Sequence, residues 1–526
     1  MKLLLLGSNY FQRPLRELGH QVIWAGAQPD CDCLAEEWDI DLKSIMPRLP
    51  FKPEAVILTD DLGRRVLPQG LEDIEAAKVW YAVDSPINHF WQSHYASLFD
   101  LVLVDQKYYT MELEKSAPSS MVRWLPVAVD TLAYQGDPCD KTYDLAFVGV
   151  INANVRPKRS RIINMLSKRY NVLTAGGRLD QWVTPRQSAQ FYRQSRIVLN
   201  ENLFGGVTTR MLEAMASGTM LLTEGHDSLS ELFDIGVDLD VYDPASLFEQ
   251  VDYYLDHPVH REQVAAGGHE KVMSGHDLKN RAHQVVNLIE ESIFTGNSHT
   301  NREMAEGQAL FLTAMRWPSH GGLARILRAE QCLNAARLKG QANAEALFCL
   351  GRIEALKGDT PSARQFLNLA AEAGHLRSKI GLALMDLPTT PAAALSRLHN
   401  LAARYELDFP RSHSENGLSA DQHHALGKIL ASAGHDLTPG FSKYRLDVTM
   451  WDALEHYRAA VEKHPDHVPS LVALGVTLSR HGAYVEAQVF LDRAMDIHPH
   501  WPGLAEKSAL ADHLGYGWTP PDRKVA

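Results

Sequence analysis

Short apolar runs that end in a polar or acidic residue, with helical stretches between them, recur through the first half of the chain. The runs at 3–6, 21–25, 55–59, 79–83, 101–104 and 122–126 come first, and three of them lead into Asp60, Asp84 and Asp105. A continuous apolar run of this length is a strand buried on both faces, and strands alternating with helices build a parallel sheet covered on both sides. After a connector at 138–143 the pattern restarts at 144–149 and continues through 170–173, 197–199, 220–223 and 239–242. Helices are expected at 185–194, 210–216, 244–255, 259–274 and 278–294. The spacing therefore predicts α/β architecture, with one doubly wound domain over 1–135 and a second over 136–296. The opening MKLLLLGSNY reads as a buried first strand and not as a signal peptide. No apolar run is long enough to predict a transmembrane segment.

A chain of 526 residues exceeds what one core supports. Its formal charge of −12 argues against a general nucleic-acid binder, which needs a basic face. Five cysteines, an odd and sparse set, fit a reducing compartment, so the expected location is cytoplasmic. Cys31 and Cys33 lack a second pair at zinc spacing, and no metal or cofactor is expected.

The densest chemistry lies in 196–225, RIVLNENLFGGVTTRMLEAMASGTMLLTEG. A strand ending near Leu199 leads into a polar loop containing Asn200, Gly205 and Gly206, and then into a helix opening at Arg210. Such loops lie at the carboxyl end of a strand, where doubly wound sheets bind ligands. The glycines permit close backbone approach, Thr208 and Thr209 offer hydroxyls, and free amides at the helix start suit a pyrophosphate. Arg210 adds a cationic fork, and Glu213 can accept two hydrogen bonds from a diol. Phosphate-seeking and diol-seeking groups so close together suggest a nucleotide. The alternative is a solvated pair beside an ordinary Gly-Gly turn.

Arg156, Lys158, Arg159 and Arg161 crowd another helix start, where the helix dipole prefers anions. A bound di-anion would relieve them; a solvated basic face is the alternative. On the first sheet, Asp84 precedes Ser85-Pro86, and His89 follows within two turns. Either could serve as general base on an acceptor hydroxyl, while Asp84 also suits a helix cap. Residues 7–10 lack the full dinucleotide-binding pattern and are not assigned a phosphate.

YDLAFVG at 143–149, the basic helix start, VLNENL at 198–203, TTRMLEAMASGTMLLTE at 208–224 and YDPASLFEQVDYYLDHPVHR at 242–261 together resemble the CgeB-like glycosyltransferases, as does AVDSP at 82–86. The resemblance covers residues 1–295 and implies the two-domain GT-B fold, with a nucleotide-sugar donor held by the second domain. It implies that Arg159, helped by Arg156, and Arg210 face the diphosphate while Glu213 takes the ribose hydroxyls; Gly149, Asn200, Gly205, Gly206, Thr208 and Thr209 are the other candidate donor contacts. It places the acceptor on the first domain near Asp84, close to the candidate base His89, and implies transfer without a metal; the acceptor is read as a protein or a surface-glycan precursor. Many retaining relatives carry a glutamate eight residues before the equivalent of Glu213; Gly205 stands there, so the stereochemistry stays open.

From residue 300 to 526 the chain turns Ala- and Leu-rich with helical periodicity. Ala453, Tyr457, Ala460 and Pro465 recur 34 residues later as Ala487, Leu491, Ala494 and Pro499. Leu347, Leu350, Gly351, Ala363, Leu367 and Ala370 repeat the internal spacing of Leu471, Leu474, Gly475, Ala487, Leu491 and Ala494. This resembles a tetratricopeptide or Sel1-like array of helix pairs, interrupted by an insertion over 434–449 and ending in a frayed tail from Trp518. Such arrays offer concave surfaces for a protein partner. A second reading of the whole chain follows: a non-catalytic scaffold working through its repeats.

Overall fold

The computed structural model describes residues 1–60, 65–137, 139–151, 157–176, 183–202, 206–242, 245–292, 301–410, 417–435, 452–480 and 484–508. The chain divides into two compact units, with residues 1–298 in the first and 299–515 in the second.

The first unit holds two parallel sheets. Seven strands form the first: β1 (Lys2–Gly7), β2 (Gln21–Gly26), β3 (Cys33–Leu34), β4 (Ala55–Thr59), β5 (Ala77–Ala82), β6 (Leu101–Val104) and β7 (Met121–Trp124). Their order is β3-β2-β1-β4-β5-β6-β7. Five strands form the second: β8 (Tyr143–Val148), β9 (Val172–Ala175), β10 (Ser195–Asn200), β11 (Met220–Glu224) and β12 (Asp240–Tyr242), ordered β12-β11-β10-β8-β9. Every ladder is parallel. This is the pair of Rossmann-like sheets that the strand pattern and the resemblance implied. The strands form because their residues are buried from both sides: Leu3 to Leu6, Val79 to Ala82 and Leu101 to Val104 are all nearly inaccessible.

The two faces of the first sheet separate cleanly by strand alternation. Leu3, Leu5, Ile57, Val79, Tyr81, Leu101 and Leu103 share one core. On the other face Trp80 packs against Trp91, Tyr95 and Phe99, with centroids 5.3–5.6 Å away. The first core also contains Ala282, Val285, Val286 and Ile289 from the helix Leu278–Glu291. That corrects the expectation that this helix closes the second domain. The chain returns across the domain boundary at Val129 and Asp277, which pair as an isolated parallel bridge, and the helix finds the apolar stripe it needs on the first sheet. The unexpected elements include the short edge strand β3, too brief for a pattern to reveal, and the helix Lys107–Ser116, whose polar surface hides its period.

The second unit is all-helical among its described residues. Ten helices run from Arg302–Arg316 to Tyr484–Ile497. The glycine spacing has a physical basis. A Cβ on Gly351 would lie 2.8 Å from Leu367 Cγ and 3.2 Å from Ala363 O; on Gly475 it would lie 2.4 Å from Leu491 Cγ and 3.1 Å from Ala487 O. Gly307 meets Leu333 and Ala329 in the same way, a copy that the sequence did not reveal. Each glycine lets one helix settle onto an Ala-x-x-x-Leu stripe of its partner. The insertion falls outside the described residues beyond His435, as does the tail. No helix among the described residues is long and apolar enough to cross a membrane.

Candidate nucleotide site at the second sheet

The order of the second sheet fixes where its crevice lies. From β8 the chain leaves to β9 on one side and then to β10 on the other, so the carboxyl ends of β8 and β10 diverge at a topological switch point. Arg210, in the first turn of the helix Thr209–Ala216, spans that point. Its Nε donates to Val148 O at 2.7 Å, at the end of β8, and its Nη1 to Asn200 Oδ1 at 2.9 Å, at the end of β10. The guanidinium stacks on Phe147, 4.4 Å from the ring centroid. Both hydrogen-bond partners are neutral oxygens. Burial, its leading influence, pulls the arginine's pKa down.

Gly149 completes this arrangement. Its φ is +146°, and a Cβ there would come within 2.4 Å of Arg210 Nη2. The missing side chain thus makes room for the outer nitrogen of the fork, which lies against the Gly149 backbone.

Arg159 is placed differently from expectation. It is buried at 8% exposure and donates through Nε to Glu201 Oε2 at 2.8 Å and through Nη1 to Val150 O at 3.1 Å. Lys158 pairs with Glu224 Oε1 at 2.5 Å. Lys158 and Arg159 are therefore met by carboxylates at the ends of β11 and β10. Arg159 lies over Phe147 at 5.0 Å, so two guanidinium groups share one aromatic ring. Arg156 and Gly205 lie outside the described residues.

Asn200 is also corrected. Its side chain is fully buried; Nδ2 donates to Thr223 Oγ1 at 2.9 Å, while Oδ1 accepts from Arg210 and from Thr208 Oγ1. It holds Arg210 in place and is not presented to a ligand. Thr209 is exposed at the helix start. Gly206 is covered by the first domain: a Cβ there would lie 1.5 Å from Gln106 Oε1, and Gln106 Nε2 approaches Val207 O at 3.5 Å. Its missing side chain admits Gln106, not a phosphate. Lys107 extends the same contact by pairing with Glu231.

Glu213 is half-buried, one turn after Arg210. Tyr192 donates to its Oε2 at 3.2 Å, and the Tyr134 phenol lies near enough to pull its pKa down. Burial raises its pKa, against the pull of Tyr134, Arg210 and Tyr192. Tyr192 uses one of the carboxylate's about four acceptor positions, which leaves room for a diol.

Across the interface stand the residues expected on the acceptor side. Asp84 occupies the N-cap position of the helix Ser85–Tyr95, but its backbone is left-handed, φ 55° and ψ 40°, and its side chain makes no capping bond. Its carbonyl accepts from the amides of Ile87 and Asn88 instead, which corrects the cap expectation. Such a backbone costs roughly 1 kcal/mol or more for a non-glycine residue and collects at functional sites. The Asp84 amide donates to Asp105 Oδ2 at 3.0 Å. The His89 ring lies 5.3 Å from Tyr109, and burial lowers its pKa while Glu112 opposes. Strand spacing had pointed to Asp105 only as a crevice residue. It is buried, and desolvation pushes its carboxyl up to about 7.

Residues 156–287 match a protein-family model described as glycosyl transferase-like. No curated protein matches the chain. Among solved structures, a sucrose-phosphate synthase from Thermosynechococcus elongatus is 11% identical, with a TM-score of 0.39 over 55% of this chain and 99% of that one. Anabaena HepE in complex with UDP and glucose is 11% identical, with a TM-score of 0.38 over 55% of this chain and 99% of that one. A glycosyltransferase from Rickettsia africae is 9% identical, with a TM-score of 0.40 over 56% and 98%. The segment that carries Arg159, Arg210 and Glu213 is therefore glycosyl transferase-like in sequence, on the sheet whose switch point Arg210 spans.

Proposed function

We propose that this protein is a glycosyltransferase of the CgeB-like kind, moving a sugar from a nucleotide-sugar to an acceptor hydroxyl on a protein or a surface-glycan precursor. One observation carries the reading. Arg210 sits at the switch point with a positive charge held by neutral oxygens, its outer nitrogen against the Gly149 backbone. A buried guanidinium without a carboxylate partner is costly, and an anion arriving at Gly149 offsets that cost. A leaving diphosphate gains negative charge during transfer, so a preorganised cation at that place stabilises the transition state without help from a metal. Glu213 takes the ribose hydroxyls in this reading. Asp84, on the facing domain, receives the acceptor's proton as the C–O bond to the sugar forms and the diphosphate departs with its electron pair. The helix pairs hold a protein acceptor or partner, and the protein works in the cytoplasm.

The scaffold reading draws on one feature: Arg159 and Lys158 are already neutralised by Glu201 and Glu224. Calorimetry against UDP-, GDP-, dTDP- and CMP-sugars, with Glu213→Ala alongside, separates the two. A tight binder that weakens at least about tenfold in the variant supports transfer, since a charged hydrogen bond contributes about 1.5–3 kcal/mol. No binding by folded protein supports the scaffold.

A further inference from the structure

The two domains of the first unit touch where each carries its candidate chemistry. On the first sheet β6 leads into Asp105, and Gln106 precedes the helix Lys107–Ser116. On the second, Gly206 and Val207 lead through Thr208 into the helix that carries Arg210. Gln106 sits directly against Gly206: a Cβ there would come 1.5 Å from its Oε1 and 2.4 Å from its Cδ. Asn202 Nδ2 donates to Gly206 O at 2.7 Å and so holds that residue from its own domain. Lys107 crosses the same boundary to Glu231.

The Gln106 amide has an acceptor in each domain. Its Nε2 donates to Asp105 Oδ2 at 3.3 Å and to Val207 O at 3.5 Å. A primary amide carries two N–H donors and no charge, so one nitrogen serves two oxygens. From each acceptor the hydrogen bonds continue. The same Asp105 oxygen accepts from the amide of Asp84 at 3.0 Å, and the Asp84 backbone is left-handed at φ 55°. On the far side, Thr208 Oγ1 donates to Asn200 Oδ1 at 3.4 Å, and that oxygen takes Arg210 Nη1 at 2.9 Å. The candidate base and the candidate phosphate cation thus stand at two ends of one path. A contact that only filled space between domains would need shape alone; hydrogen bonds are directional, and this pair fixes register as well. Asp105 and Val207 are 2% and 3% exposed, so bulk water is kept from both acceptors.

We propose that Gln106 is a positioning residue: it couples the helix start beside Arg210 to the backbone of Asp84, so that a nucleoside diphosphate bound on one domain steadies the candidate base on the other. This coupling deepens the transfer reading and rests on it for the nucleotide. A diphosphate drawn to Arg210 and the amides of the first turn orders residues 206–210. Val207 O is then held for Gln106, Gln106 for Asp105, and Asp105 for the Asp84 amide. A left-handed non-glycine backbone persists only where its surroundings hold it, so the helix start at 84–88 opens less often once the path is complete.

The test is hydrogen–deuterium exchange on the full chain, with and without UDP, GDP or dTDP, in the parent, Gln106→Ala and Gln106→Glu. Alanine removes the amide. Glutamate keeps its shape but sets a carboxylate against Asp105 and the Val207 carbonyl, and it serves if the alanine variant folds poorly. In the parent at least one nucleotide should slow exchange by about fivefold or more, both at 207–216 and at 84–90. In the variants the slowing at 207–216 should persist while that at 84–90 falls below about twofold. A merely structural contact would change exchange at 84–90 equally with and without nucleotide, and that result overturns the coupling. So does protection at 207–216 with none at 84–90 in the parent, or protection at 84–90 that survives both substitutions. Amides at 207–216 that ignore all three nucleotides overturn the transfer reading and the coupling with it, whereas the other results leave nucleotide binding intact.

Discussion

Replacing Arg210 by lysine keeps the charge and removes the fork. The arginine reaches Val148 O at 2.7 Å and Asn200 Oδ1 at 2.9 Å at once, bridging two strand ends. A lysine ammonium is a point donor on a flexible stem and cannot serve both while also facing Gly149. At least one charge-assisted hydrogen bond to a buried oxygen is lost, a cost of about 1.5–3 kcal/mol. In a unit of this size each kcal/mol moves the melting temperature by about 2–4 °C, so Tm should fall by about 3–12 °C. Nucleotide-sugar affinity should fall by about tenfold to a hundredfold, since the nitrogen beside Gly149 no longer points from a fixed frame. Differential scanning fluorimetry and calorimetry on the same preparation check both numbers. An unchanged Tm would refute the bridging role, and a lowered Tm with unchanged nucleotide affinity would refute the phosphate role while leaving the structural one intact.

Gly149→Ala displaces the same arginine without touching its charge, because the new Cβ would lie 2.4 Å from Nη2; donor affinity by calorimetry should drop at least about tenfold. Gly475→Ala puts a Cβ 2.4 Å from Leu491 Cγ, so the overpacking penalty of about 1–3 kcal/mol exceeds the gain in helix propensity of about 1 kcal/mol, and the helical unit should unfold at lower denaturant concentration. The fully folded helical unit keeps His423 neutral: burial lowers its pKa to about 4 from 6.5, and it faces His456 Nδ1 at 3.1 Å. Between those values the unfolded chain binds a proton that the folded chain does not, so stability falls as pH drops through that window, by on the order of 3 kcal/mol if His423 acts alone. Urea titrations at pH 7 and pH 5 read this directly, and His423→Gln should reduce the difference without removing it, since His424 and His456 are also held neutral by burial.

The sheets were legible because a doubly buried strand leaves an apolar run that little else produces; residues 55–59 and 101–104 were bounded to the residue. The destination of the last sheet-unit helix was not. Its apolar stripe specifies that Ala282, Val285 and Ile289 face a core, but one stripe fits either sheet, and only the return at Val129 and Asp277 selects the first. The site was half legible for a related reason. Sequence shows that Arg159, Arg210 and Glu213 lie near strand ends. It does not show that Glu201 from β10 turns onto Arg159, or that Tyr134 and Tyr192 meet Glu213. Those pairings cross long stretches of chain and carry no local signature. Gly206 is the plainest case: a glycine read as room for a phosphate is room for Gln106.

The Arg159–Glu201 pair offers the sharpest division between a working donor site and a relic. The crevice around Phe147 contains Lys158, Arg159 and Arg210 against Glu201, Glu213 and Glu224. Among these described residues the charges balance in number but not in contact, since Lys158 and Arg159 meet carboxylates while Arg210 is held by neutral oxygens. Glu201→Gln keeps the shape and releases Arg159 from its carboxylate. Breaking a buried pair by removing one charge costs about 3–5 kcal/mol, so the free variant should melt well below the parent. A diphosphate beside Gly149 would then meet two uncompensated guanidinium groups on one aromatic ring instead of one. Nucleotide affinity should therefore rise in the variant although stability falls, and added nucleotide should recover part of the lost Tm by mass action. If the crevice has no anion to bind, the substitution brings only the loss: Tm falls, UDP and GDP leave it unchanged, and the balanced charges are simply those of a folded interior.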